Sequence, residues 1–281
     1  MATEIYDRIL ELVKLHDESF EPATLADKEE RNLYVREMSP YRGNIVSWLF
    51  SDQSMEALEI NCGCGAVSEA ISKLVGRLTC VELPGAKSEI CKLRLAGVDN
   101  VNLIQGNIAS VNNMHFDRIF WIGLNRQDED VFGKEISLVD KLKVIDSMLV
   151  PGGEFVFTVN NPFGLRYWAG MPDDISGDFF QTIMGNQKKG FLSKAKIEQL
   201  LDGLGYSTSE FYYPYPDYEF ALSIYSDKKP PQKGDLKLSP INFDGDRVTL
   251  FDETKAFDNI IENGLFKFFS NSYLVVAKKG V

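Results

Sequence analysis

Residues 57–69 read ALEINCGCGAVSE, a short apolar run carrying one glutamate, a cluster of Asn, Cys and Gly, and the start of an amphipathic stretch. Three readings compete for NCGCG at 61–65: a metal held by thiolates, a ligand laid over bare glycine backbone, or a plain turn. Gly63 and Gly65 let the chain turn tightly into a helix N-terminus and let a ligand approach the main chain with no Cβ in the way. The thiolate reading fails on spacing. Cys62-x-Cys64 has no second Cys or His pair at zinc-site distance, and Cys80 falls inside the next apolar run, so no metal is expected.

Outward from this stretch, strands and helices alternate. ALEI (57–60) is a buried strand; Val67, Ala70, Ile71, Leu74 and Val75 follow at helical spacing, with Gly76 placed as the helix stop. RLTCVEL (77–83) predicts a second strand, 86–96 a helix closed by Gly97, and VNLIQ (101–105) a third strand. DRIFWIG (117–123) is the fourth; a helix near 135–149 leads through a PGG turn (151–153) to the fifth, EFVFTV (154–159). Such alternation implies a parallel, doubly wound α/β sheet.

Residues 1–50 read as a helical cap: Ile5, Ile9 and Val13 recur at helical spacing, and Ser39-Pro40 begins a helix carrying Tyr41, Ile45, Trp48 and Leu49. Residues 51–281 form one α/β domain. In its later part Ser193 caps a helix, SEFYYPYPD (209–217) and SYLVVAK (272–278) supply two last strands, and a polar insertion at about 226–270 holds the helical ETKAFDNIIENG.

The net charge of -11 and pI near 4.8 argue against a nucleic-acid partner, which demands clustered Lys and Arg. No window approaches the roughly 18 apolar residues of a membrane span, and the expected setting is the cytoplasm. The four cysteines crowd into positions 62–91, a poor disulfide framework, and are expected to be reduced thiols.

In an open α/β sheet, ligands sit beyond the carboxyl ends of the strands where strand order reverses. The dinucleotide fingerprint G-x-G-x-x-G is incomplete here, since Ser68 stands at its third glycine, which leaves a nicotinamide dehydrogenase a poor reading. Glu82, ending the second strand, is either an acceptor for a ribose diol or a solvated strand-end carboxylate. Asn107, after the third, either pairs with an adenine edge or simply makes a turn.

In their order and spacing, ALEINCGCG, VEL, QGNI, FDRIFWIG and LVPGGEFVFTV resemble class I S-adenosylmethionine-dependent methyltransferases. The resemblance covers residues 39–205 and implies a Rossmann-like, mostly parallel seven-stranded sheet whose seventh strand is antiparallel. It implies S-adenosyl-L-methionine as cofactor, with Glu59 and the Asn61, Cys62, Gly63 and Gly65 loop at its methionine end. Glu82 would stand at the ribose and Asn107 with Ile108 at the adenine, with Leu83 and Gly123 as further cofactor-binding positions. Two positions depart from the family: Asn61 replaces the first loop glycine, and Asn107 the usual acid. Asn tolerates a left-handed backbone better than most residues, and its amide oxygen still accepts a hydrogen bond. NNPFGLRYWAGMPDD (160–174) and the segments FYYPYPDYEF and ENGLFKFFSNSYLVVAKK are similar to a bacterial subgroup associated with surface-polysaccharide and lipopolysaccharide biosynthesis, which implies a small-molecule or glycan-precursor acceptor.

Candidates for acceptor chemistry are Asn160, Asn161, Arg166, Tyr167, Trp168, Asp173 and Asp174. Tyr167 and Trp168 either stack on a sugar ring or pack the loop onto the core. NNPF invites comparison with the N-P-P-F motif of amine methyltransferases, but that motif follows the fourth strand and this one the fifth. Arg42 either clamps the methionine carboxylate or makes a surface salt bridge. His115, before the fourth strand, lies at the wrong end of the sheet for catalysis, and His16 reads as a surface residue. The alternative to an enzyme is a non-catalytic cofactor-binding module or partner subunit, suggested by Asn61 and the lack of an obvious base.

Overall fold

A computed structural model describes residues 2–15, 25, 27–124, 130–133, 136–173, 177–186, 189–237 and 247–280. Helices α1 (Ala2–Lys14) and α2 (Lys28–Met38) precede a 3-10 turn, Pro40–Ile45, capped by the Ser39 hydroxyl. Then come β1 (Asp52–Ile60), α3 (Ser68–Ser72), β2 (Val75–Glu82), α4 (Ala86–Arg94), β3 (Val101–Gln105), β4 (Phe116–Trp121), α5 (Leu138–Met148) and β5 (Leu149–Asn160). The chain closes with α6 (Leu165–Trp168), α7 (Lys194–Gly203), β6 (Tyr206–Tyr215), β7 (Ser223–Ser226), α8 (Glu253–Glu262), α9 (Phe266–Phe269) and β8 (Ser272–Lys279).

The strands form one sheet in the order β3-β2-β1-β4-β5-β8-β6-β7. β1 to β5 run parallel, and β8 lies antiparallel between β5 and β6. Among the described residues eight strands are present rather than the expected seven. The extra one, β7, is four residues folded back on β6 as an antiparallel edge, too short and too exposed to show an alternating pattern.

Side chains alternating along each strand divide the core between the two faces. Leu58, Ile60, Ile119, Trp121, Phe155 and Phe157 meet Leu142 and Ile145 of α5, Ile197 of α7 and Phe257 of α8. On the other face Ala57, Leu78, Cys80, Phe120 and Val156 meet Ile71, Cys91 and the Ile45–Val46 turn. Helices on both sides of a mainly parallel sheet make the Rossmann-like, doubly wound arrangement expected from the alternation.

Three local expectations are corrected. The first crossover helix is only five residues, because Val75 and Gly76 already belong to β2. Gly76 is needed for closeness: a Cβ there would sit 2.0 Å from the Gln53 carbonyl oxygen, where β1 changes register. Gly76→Ala is therefore expected to lower stability by about 1–3 kcal/mol, read as a fall in the urea midpoint. The PGG stretch lies within β5, and the helix expected through Leu49 ends as a 3-10 turn at Ile45.

Candidate functional site at the β1–β4 crevice

Strand order reverses between β1 and β4, so the crevice beyond their carboxyl ends is where a ligand belongs. The β1 loop there is left-handed at three alternating positions: Asn61 at φ 54°, Gly63 at 58° and Gly65 at 74°. Asn61 thus adopts the backbone of the glycine it replaces. Its side chain is engaged across the crevice, where Oδ1 accepts the Val131 N–H at 3.0 Å. That bond fixes the amide's orientation and leaves Nδ2 buried with no hydrogen-bond partner among the described residues.

Glu82 ends β2 in the same place. Its carboxylate accepts from the Gly63 N–H at 2.7 Å and from the Leu83 N–H at 3.0 Å, so it is neither solvated nor idle. Burial raises its pKa, and the Gly63 and Leu83 donors oppose the rise. Glu59 is buried: it is 3% exposed, with Cys80 Sγ 3.5 Å from its Oε2. Burial pushes its pKa up to about 7.

Asn107 is exposed and caps the 3-10 turn Ile108–Val111, its side chain accepting from the Ala109 N–H at 3.1 Å. This is the turn role. The Ile108 N–H donates to the Val131 carbonyl at 2.9 Å. Leu83 is partly buried against the core. Gly123 (φ 85°) lies beneath Tyr218, whose hydroxyl would stand 3.3 Å from an added Cβ.

The cysteines are all buried and none forms a disulfide; Cys62 Sγ lies 3.7 Å from Cys91 Sγ. Hydrogen bonding to Cys80 and Cys91, with burial, raises the Cys62 pKa, and burial raises that of Cys64.

The helical stripe of the N-terminal cap was legible in the sequence, but its docking on the glycine loop and the polar contacts beside it were not. Ile5, Tyr6, Ile9 and Leu10 of α1 pack with Cys64 and Ile90, placing the N-terminal helices on the glycine loop and α4. Tyr6 donates its hydroxyl to Glu37 at 3.0 Å, and Arg94 donates to the Glu37 and Met38 carbonyls. Beyond β4, Asp130 and Lys141 form a buried ion pair at 2.5 Å.

Of the acceptor-side candidates, Asn160 and Tyr167 come together around Arg166, which donates to Asn160 Oδ1 (2.9 Å), the Tyr167 hydroxyl (2.8 Å) and Asp217 (2.9 Å). Asp217 was not singled out in the sequence, where it ends the YPYPD run. Asn161 ties the loop to the Phe268 and Ser270 carbonyls, and Asp173 is buried in a turn with Asp178. Asp174 and His16 lie outside the described residues. Tyr167 is buried edge-on to Phe191, which is the packing role, whereas Trp168 stays 38% exposed. Arg42 is not on the surface: it faces Glu219 at 3.9 Å with both side chains largely buried. His115 is exposed just before β4, at the far end of the sheet.

No protein-family model matches the chain, and no curated protein matches it. Solved structures do. An S-adenosylmethionine-dependent methyltransferase of Thermotoga maritima, described as a possible histamine N-methyltransferase, is 12% identical, with 99% of this chain and 100% of that one covered at a TM-score of 0.50. The CurJ carbon methyltransferase is 11% identical over 99% of this chain and 67% of its own, also at 0.50. A putative methyltransferase of Haloferax volcanii, solved with the Trm112 methyltransferase activator, is 11% identical over 90% and 94%, again at 0.50. The fold is that of the S-adenosylmethionine-dependent methyltransferases. At such identities the likeness is one of fold. Among the described residues no helix is long and apolar enough to cross a membrane.

Proposed function

We propose that the chain binds S-adenosylmethionine at the β1–β4 crevice and transfers its methyl group to a small polar or glycan-linked acceptor. The observation that carries this reading is the β1 loop, left-handed at Asn61, Gly63 and Gly65 and docked through the Gly63 N–H on the Glu82 carboxylate. The residues fit the cofactor: Asn61, Gly63 and Gly65 hold the loop backbone left-handed, and Asn61 Nδ2 is a buried donor that finds no acceptor among the described residues. Gly63, Gly65 and Asn61 would hold the amino-acid end, Glu82 the ribose hydroxyls, and Ile108 with Leu83 the adenine.

When bound, the cofactor supplies an activated methyl group on a sulfonium, so the protein's tasks are alignment and exclusion of water. Tyr218 over Gly123 would orient an acceptor beyond the methyl, and the buried Asn160–Tyr167–Arg166 group would brace the segment after β5 that carries Trp168. Half-exposed Trp168 suits a sugar face. A general base helps hydroxyl acceptors but is not required for every one.

Calorimetry with S-adenosylmethionine and with NAD tests the reading: heat is expected with the first alone, and none with the first sinks it. Glu82→Ala is expected to weaken binding at least tenfold, about 1.4 kcal/mol; unchanged affinity would remove the ribose role. A second reading, a non-catalytic cofactor-binding module, is favoured by Val131, whose backbone bonds to both Asn61 and Ile108 across the crevice. Transfer of labelled methyl to fractionated glycan precursors separates the two.

A further inference from the structure

We propose that residues 130–132 are a gate over this crevice and that Asn61 is its latch, a regulation of the site that rests on the cofactor reading above. One residue joins three strand ends: the Val131 N–H donates to Asn61 after β1, its carbonyl accepts from Ile108 after β3, and the segment itself follows β4. The backbone N–H of Ile108, a residue the cofactor reading puts at the adenine, is therefore already committed to the chain.

The segment is held on both sides, and its three side chains are buried, Val131 at 1% exposure within the main core. Asp130 pairs with Lys141 of α5 and accepts from the Phe132 N–H, and the Phe132 ring lies 5.1 Å from that of Trp121. Across the crevice, two hydrogen bonds of the Val131 backbone add to that packing, neutral bonds each comparable to about one power of ten in an equilibrium constant. A binding-competent state that is only fractionally populated lowers apparent affinity by that fraction. Opening frees the Ile108 N–H for the ligand and exposes the inner face of the glycine loop. A glycine at position 61 would keep the loop's backbone but drop the latch, so the departure from the family pattern at this position acquires a purpose.

The test compares wild type with Asn61→Gly, whose backbone suits φ 54°, and with Asn61→Asp, which keeps an acceptor for Val131. In ligand-free protein, amide hydrogen exchange at Val131 is expected to rise about tenfold in Asn61→Gly and to stay slow in Asn61→Asp. Stopped-flow association of S-adenosylmethionine should quicken about tenfold in Asn61→Gly, while loss of the Nδ2 contact appears in the dissociation rate. Unchanged Val131 exchange in Asn61→Gly would overturn the latch. Faster exchange with an unchanged association rate would overturn the gate while leaving the cofactor reading intact. If calorimetry finds no binding by any of the three proteins, both readings fall together.

Discussion

Replacing Lys141 by methionine is expected to cost the fold about 3–5 kcal/mol, because it strands the Asp130 carboxylate in the core. The two side chains are 2% and 1% exposed, and the ammonium lies about as near the Trp121 and Phe132 rings, at 6.0 and 5.8 Å, as a cation–π contact allows. Methionine matches the aliphatic stem in length but supplies neither charge nor donor. The loss should appear in the urea midpoint with little change in slope. The double variant Asp130→Asn with Lys141→Met should recover a large part of it, since a well-packed neutral pair carries less desolvation cost than one orphaned charge. A single-variant loss below about 1 kcal/mol would mean that water reaches Asp130.

Glu59 sets the second large effect, through pH. Its carboxyl is fully buried, which raises its pKa from an ordinary 4.5 to about 7. Over this window the unfolded chain has released the proton while the native state still holds it, so stability falls as pH rises, by about 1.4 kcal/mol per pH unit. The contribution is fully present below the unfolded value and lost through the folded one, about 3 kcal/mol in all. Glu59→Gln, neutral at every pH, should match wild type near pH 4.5 and exceed it by about that amount at pH 8. Thermal unfolding of both proteins across this range reads the difference directly, and parallel curves would show that Glu59 is ionised throughout.

The alternation that sequence periodicity exposes, from β1 to β5, reappears strand by strand, and VNLIQ coincides with β3 end to end. The Ser39 and Ser193 caps are equally visible, because a hydroxyl before a helical run acts within three residues. What escaped is long-range or too short. Gly76 was read as a stop because its neighbour Gln53 lies on another strand, and β7 offers only four residues. The site follows the same division: Asn61, Gly63 and Gly65 are legible as a loop, but Asn61 meets Val131 across 70 positions and Arg166 meets Asp217 across 51. Periodicity carries no information about such pairings; only the folded sheet brings the strand ends together. Glu82 shows the limit within one residue, since its position was legible and its backbone partners were not.

The four buried thiols set how the molecule meets oxidants and soft electrophiles. Cys62, Cys64, Cys80 and Cys91 join the glycine loop, β2 and α4, elements that border the β1–β4 crevice. No reagent reaches a sulfur until those elements part, and burial or thiol-to-thiol hydrogen bonding raises the pKa of Cys62, Cys64 and Cys80. Covalent damage to this protein is therefore timed by the opening of the glycine loop, so whatever holds that loop closed also protects its sulfur chemistry.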